Sequence, residues 1–256
     1  MSKHVNELRP RVVVSSTASL DGRITFSRRE RLLTPDVSQR WQSHWPPDVA
    51  DLESQRTAYI EEHHHPTVVL EGSGTFVPDT AGSVTGIPGQ HDASDLRRDW
   101  LPRPSPKWFA VVDGRGRVPW SYTGAGDVSL LVLACDRTPL AYLGWLRELE
   151  VPYLIAGDDR VNLPRALEKM PSLLSATCVV SEGGGGINGA LLRSGVVDEL
   201  HMIWFPAVIG GADTPSSFDG KPLAQGEAPN TMIHRGTVVG GHGSIWSWYE
   251  SSESAS

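Results

Sequence analysis

Four consecutive glycines, Gly183-Gly184-Gly185-Gly186, stand between a β-branched run and a helical one, and they constrain this chain more than any other stretch. Cys178-Val179-Val180-Ser181 reads as a buried strand with Glu182 at its end. Ile187, Ala190 and Leu191 then recur at helical spacing, and Gly195 marks a stop. A strand that turns through glycines into a helix leaves free N–H groups at the positive end of the helix dipole. Glycine also lets a ligand approach the backbone, so the turn suits an anion, a pyrophosphate above all. The pattern is neither Gly-x-Gly-x-x-Gly nor a P-loop, because no Lys-Ser/Thr follows. A tight strand-to-helix turn with no ligand is the plain alternative.

The rest of the chain supplies a frame for that turn. Strand-like runs at Arg11–Ser16, Thr67–Leu70, Trp108–Val112, Ser129–Ala134, Pro152–Ala156 and Glu199–Phe205 alternate with helical stretches. Thr34-Pro35 opens one helix, expected to reach Trp45, and Asp48 caps another that ends at His63-His64-His65. Thr231–Val239 and Gly243–Tyr249 fit a closing hairpin. The alternation predicts an α/β fold with a mostly parallel central sheet flanked by helices and antiparallel C-terminal strands. Residues 1–250 read as one domain, 77–106 as a long loop or lid, and 251–256 as a disordered tail. In such sheets ligands bind beyond the carboxyl ends of the strands, so the glycine turns at 72–75, 114–116 and 183–186, with Arg115 and Arg117, describe a nucleotide cleft.

Composition narrows the choice of partner. A net charge of −7 argues against a general nucleic-acid binder and suits a cytoplasmic protein, and no apolar run approaches the length of a membrane span. Cys135 and Cys178 lie in apolar runs and read as inert core residues. Trp41, Trp45 and Trp100 stand in polar surroundings, where they could line a pocket or a partner surface. Three adjacent histidines on a helix point in different directions, so a solvated helix end fits 63–65 better than a metal site.

Several stretches, in order, resemble one known family. They are Ser19-Leu20-Asp21-Gly22-Arg23, Gly72-x-Gly74-Thr75, Glu182-Gly183-Gly184-x-x-Ile187-Asn188-Gly189-Ala190-Leu191-Leu192, Val197-Asp198-Glu199-Leu200, Pro206 and Gly210-Gly211. Together they look like the reductase domain of bacterial riboflavin biosynthesis, the RibD C-terminal domain, a relative of dihydrofolate reductase. The resemblance implies a dihydrofolate reductase-like fold, an NADPH cofactor, a homodimer, and hydride delivery to the C1′ imine of a ribosylamino-pyrimidine phosphate. It places Thr75 and Asp79 near the cofactor, Gly183, Gly184, Gly185 and Gly186 at the pyrophosphate, and Glu182 at the substrate. Arg115 or Arg117 would meet the 2′-phosphate that distinguishes NADPH from NADH.

The chemistry asks for few side chains, since the nicotinamide carries the hydride and one acid or a water completes the amine. Asp21 and Glu182 are the candidate catalytic carboxylates, although a Ser-Leu-Asp-Gly turn is also apt to hold its own backbone. The sequence departs from the family at three places. His63 stands where the family has a substrate-phosphate arginine, Leu32-Leu33-Thr34 replaces Trp-Ile-Thr, and the loop 77–106 is rebuilt. These departures lean towards a changed ligand, one without a phosphate. A reductase for a pterin or specialised-metabolite precursor and a non-catalytic nucleotide-binding relative are the alternatives.

Overall fold

A computed structural model describes residues 9–87 and 93–252. The chain forms two compact units, one from Arg11–Pro66 and the part after 179, the other from Thr67–Val179.

In the first unit, β1 (Arg11–Ser19) pairs in parallel with β8 (Glu199–Phe205), which pairs in turn with β10 (Ile245–Ser251) and that with β9 (Met232–Val239), both antiparallel. Val12, Val13 and Val14 are all fully buried, as expected of a strand covered on both faces. Helices α1 (Pro35–Gln42), α2 (Asp48–His64) and α6 (Gly185–Arg193) belong to this unit. Val49, Leu52, Arg56 and Ile60 form the buried stripe of α2, an apolar spacing broken by one arginine. Trp41 does not line a surface: it is buried against Phe26 and Phe205, and Trp45 and Trp246 join the same cluster.

Helix α2 is held at both ends by polar clasps. Asp48 is its first residue, not its cap. The carboxylate accepts from the His242 N–H (2.7 Å) and the Ser244 hydroxyl (2.8 Å) in the β9–β10 turn. At the far end the three histidines part company. His63 stacks on Tyr59 at 3.9 Å, His64 reaches Glu199 at 2.8 Å, and His65 takes a left-handed conformation that closes the helix. Glu199 also meets His201 (3.1 Å) and Arg11 (2.5 Å).

Burial works to raise the Glu199 carboxyl, but hydrogen bonds with His201 and His64 and the charge of Arg11 outweigh it and hold the group well below the usual carboxylate range. A lowered pKa contributes stability that is complete above the unfolded value, about 4.3, and is lost as pH falls towards the folded one. Glu199→Gln should therefore unfold about 3 kcal/mol more easily than the parent at pH 7. That gap should narrow below about pH 4, which denaturant titrations across the acid range will measure.

In the second unit, β2 (Val68–Gly72), β3 (Lys107–Val112), β5 (Val128–Ala134) and β6 (Tyr153–Ile155) run parallel, and the short β4 (Gly124–Ala125) pairs antiparallel with β5. Helices α3 (Ala93–Leu96), α4 (Leu140–Glu148) and α5 (Leu163–Leu174) accompany them, α5 capped by the Asn162 side chain. Residues 88–92 of the expected loop lie outside the described residues. Its flanks are not a free lid. Phe76, Val77, Val84, Ile87, Leu96 and Trp100 pack into the core of this unit, and the Trp100 N–H bonds the Tyr153 carbonyl. Strand β7 (Cys178–Ser181) leaves the second unit and enters the first, where it delivers the glycine turn.

Candidate active site

The four glycines divide into two kinds. Gly183 and Gly184 precede α6, while Gly185 and Gly186 form its first turn. A Cβ at Gly185 would collide with the Ser216 carbonyl oxygen, and one at Gly189 with the Asp219 carbonyl oxygen. These two positions, one helical turn apart, are bare because residues 216–219 lie against α6. Gly186 has open space, and Gly184 meets only Ile24, at 3.9 Å. No side chain caps α6, which leaves its leading N–H groups for a ligand. Asp219 brings a negative charge near this turn, but the carboxylate is engaged by Ser216 and Arg28 (3.2 Å). A cofactor pyrophosphate fits this cradle, with Gly184 and Gly186 on its open side.

Asn188 fixes the shape of the turn. It accepts from the Ser181 hydroxyl (2.8 Å) and donates to the carbonyls of Gly183 (2.9 Å) and Ser217 (3.2 Å), all in the buried interior. The family motif contains this asparagine, yet nothing in the sequence assigned it a role.

Glu182 stands between β7 and that turn. It is solvent-exposed, and no hydrogen bond reaches its carboxylate among the described residues. Surrounding protein nonetheless raises its pKa, partly offset by Arg56 and reinforced by Glu53. Arg56 is buried on α2, donating to the Ser16 carbonyl (2.9 Å) and the Thr17 hydroxyl (3.2 Å) and lying 3.6 Å from Glu53. Thr17 in turn donates to Glu53 at 2.7 Å. Sequence reasoning missed this pair. The available signal was a charged residue at position 56 of an otherwise apolar helical stripe.

Asp21 acts as a backbone clasp, but the N–H groups it holds belong to a distant loop, while its own turn is tied by Ser19. Its carboxylate accepts from the Ser19 hydroxyl (2.7 Å) and from the N–H groups of Ile209 (3.0 Å) and Gly210 (2.7 Å). The Ser19 hydrogen bond, followed by the one from Ile209, holds its pKa well below the usual carboxylate range. A carboxylate tied up and ionised in this way is a poor proton donor at neutral pH, which corrects the expectation of a catalytic acid. His63 is set apart from Asp21. His64, the next residue of α2, reaches Glu199 at the start of β8, whereas Asp21 contacts the loop beyond Phe205. Six residues of strand, about 20 Å, separate the two rims. Arg56, which acts electrostatically on Glu182, bonds Ser16 and Thr17, whose partners Met202 and Ile203 lie midway along β8.

In the second unit, Thr75, Asp79, Arg115 and Arg117 gather where β2 and β3 end. Thr75 donates to Glu71 at 2.6 Å, and Asp79 is exposed. The two arginines differ. Arg117 is buried, with its guanidinium donating to the Ser73 hydroxyl (2.6 Å) and the Pro78 carbonyl (3.2 Å). Burial and the neighbouring Arg115 lower its pKa. Arg115 is exposed, and only its carbonyl is engaged, by Ser83. Buried Asp113 builds the turn between them by accepting from the N–H groups of Arg117 (2.7 Å) and Val118 (2.9 Å) and from the Tyr142 hydroxyl (2.9 Å). Gly116 takes φ +61° against the Tyr142 ring, a position where a side chain would both strain and clash.

Comparison with known proteins identifies the family. The chain is 26% identical over 238 residues to the riboflavin biosynthesis protein RibD of Bacillus amyloliquefaciens, covering 90% of this chain and 55% of that protein. The chain thus spans about half of that relative's length. It is 27% identical over 216 residues to a 2,5-diamino-6-ribosylamino-4(3H)-pyrimidinone 5′-phosphate reductase of Archaeoglobus fulgidus, covering 84% of this chain and 88% of the other. In fold it is similar to a pyrimidine reductase-like protein of Corynebacterium diphtheriae, with a TM-score of 0.64 at 16% identity over 96% of this chain and 93% of that one. The model of the RibD C-terminal domain matches residues 10–240, nearly the whole of both units. The chain belongs to the RibD C-terminal domain family.

Proposed function

We propose that this protein is an NADPH-dependent reductase of a ribosylamino-pyrimidine 5′-phosphate. The observation that carries the reading is Glu182, a carboxylate without a hydrogen-bond donor among the described residues, held next to an uncapped glycine turn. A 2-amino-4(3H)-pyrimidinone offers adjacent N–H donors, the edge a carboxylate accepts best. The cofactor, with its pyrophosphate at Gly184 and Gly186, would supply the hydride. The chain's own part is to bind, orient and exclude water. Thr75 and Asp79 belong to the cofactor side of this reading, and a cytoplasmic homodimer is its assembly, to be checked by light scattering.

Two of the reductase relatives carry a 5′-phosphate in the names of their substrates. The ordinary phosphorylated substrate is therefore the first to try. Purified protein should oxidise NADPH on addition of 2,5-diamino-6-ribosylamino-4(3H)-pyrimidinone 5′-phosphate, and absence of turnover would sink the reading. Of the two arginines, Arg115 is the one free to meet the 2′-phosphate. Arg115→Ala should lower NADPH affinity about tenfold while leaving NADH binding unchanged. Arg117→Ala should instead lower the melting temperature, because it removes a guanidinium already engaged inside the protein. Equal effects of the two substitutions on cofactor preference would refute the division.

A further inference from the structure

Beyond the carboxyl ends of β5 and β6 the second unit holds a polar cleft of about 270 Å³, lined by none of the residues assigned above to cofactor or substrate. Four cationic side chains, Arg97, Arg98, Arg165 and Lys169, face two carboxylates, Asp99 and Asp136. That excess of positive charge stands on a chain whose net charge is −7. We propose that the cleft binds a phosphomonoester dianion.

Its walls are fixed by the protein itself. Trp100 and Tyr153 exchange two backbone hydrogen bonds of 2.9 Å, and the Tyr153 hydroxyl donates to the Leu96 carbonyl at 2.9 Å. Residues 97–99 are therefore pinned to β6 at both ends. Asp99 accepts from the Ile155 N–H (2.8 Å) and from Lys169 (2.8 Å), which also donates to the Ile155 carbonyl (2.7 Å). The Asp136 N–H bonds the Gly157 carbonyl at 3.0 Å and joins the ends of β5 and β6.

The Lys169–Asp99 pair is thus structural and neutral, and three arginines remain. Arg97 donates to the carbonyls of Asp136 and Thr138, neutral oxygens that leave its charge in place. No hydrogen bond or ion pair engages the guanidinium of Arg98 or Arg165 among the described residues. Asp95, three residues before Arg98, is spent on Arg147 at 2.7 Å. Only Asp136 opposes the three, from an exposed position.

The lining selects the occupant. Guanidinium forks match phosphate oxygens two at a time, which a single ammonium cannot do. Ile155 is the one large apolar side chain of the lining, so no aromatic face receives a pyrimidine or a nicotinamide. The volume falls below the roughly 300–1,000 Å³ of sites that enclose drug-sized ligands, which suits a phosphate group and not a whole dinucleotide. That phosphate has two sources, a free phosphate ester or the 2′-phosphate of NADPH. The second is in reach because Thr138, held by Arg97, donates to the Gly114 carbonyl (2.8 Å) next to Arg115.

Isothermal titration with inorganic phosphate in chloride buffer tests the site without any substrate, so its outcome is separate from the reading of Glu182. The parent should bind phosphate saturably, and Arg98→Gln/Arg165→Gln should bind it about ten- to a hundredfold more weakly. Arg98→Lys/Arg165→Lys keeps the charges, loses the forks and should fall between the two. The glutamine variant should melt at the parent temperature, because neither guanidinium is engaged. Absence of saturable binding by the parent, or equal affinity in the parent and the glutamine variant, overturns the proposal. NADPH and NADH titrations with and without saturating phosphate then separate the sources. Phosphate that weakens NADPH alone makes the cleft the 2′-phosphate site in place of Arg115, and phosphate that weakens neither leaves a free phosphate ester as the ligand. Phosphate that weakens both cofactors alike, in the parent and the glutamine variant, binds elsewhere and overturns the assignment.

Discussion

Asp113→Ala should lose about 3 kcal/mol of folding stability and with it the proposed selectivity for NADPH. The carboxylate of Asp113 is buried and accepts three hydrogen bonds, from the Arg117 and Val118 N–H groups and the Tyr142 hydroxyl. Removing the acceptor leaves the two N–H groups buried and unpaired, at about 1–3 kcal/mol for such a group before any relaxation, while the Tyr142 hydroxyl keeps the Val118 carbonyl at 3.3 Å. Burial and the Asp113 charge already push the Tyr142 hydroxyl far above its ordinary pKa, so it stays a donor at every accessible pH. The turn at 113–118 also presents Arg115, so a collapsed turn should scatter that side chain. Chemical denaturation and paired NADPH and NADH titrations read the two losses separately. A variant that is destabilised yet keeps the cofactor preference would remove Arg115 from the cofactor reading.

Gly184→Val and Gly185→Val should fail in opposite ways. At Gly184 the backbone has an ordinary extended conformation and the nearest atom to an added Cβ is Ile24 Cδ1, at 3.9 Å. The protein can hold the valine, but an anion beside the helix start cannot pass it. NADPH affinity should fall ten- to a hundredfold, about 1.5–3 kcal/mol, with the melting temperature unchanged. At Gly185 the same substitution drives a side chain into the Ser216 carbonyl and Asp219. Overpacking of that kind costs about 1–3 kcal/mol or more, so stability should drop first. Calorimetry beside cofactor titration distinguishes the outcomes, and undiminished NADPH binding in Gly184→Val would move the pyrophosphate elsewhere.

Much of the fold was legible because its signals are local. The strands β1, β3, β5 and β7 are short runs of apolar and β-branched residues, and Pro35, Gly195 and the closing hairpin follow backbone rules that need no partner. What escaped the sequence depended on contacts between distant segments. Asp48 has the look of an N-cap in sequence, but its carboxylate is claimed by a turn nearly two hundred residues away. Trp41 stands in a polar stretch, and only the arrival of Phe26 and Phe205 makes it core. The site divides the same way. The strand-to-helix turn through the glycines was readable from order along the chain, whereas the separation of Arg115 from Arg117 required knowing that Ser73 and Pro78 lie within reach.

The packing of residues 216–219 against α6 also bears on how relatives of this chain should drift. Gly185 and Gly189 answer to a neighbouring backbone, so they should persist in any descendant that keeps the fold, whether or not it still uses a cofactor. Gly184 and Gly186 have open space instead, and if they answer to a ligand as proposed, a lineage released from binding is free to accumulate side chains there. A count of glycines in this turn therefore carries less information than their positions. A member with alanine or larger at the two open places and glycine at the two closed ones would be a folded protein that has given up the nucleotide.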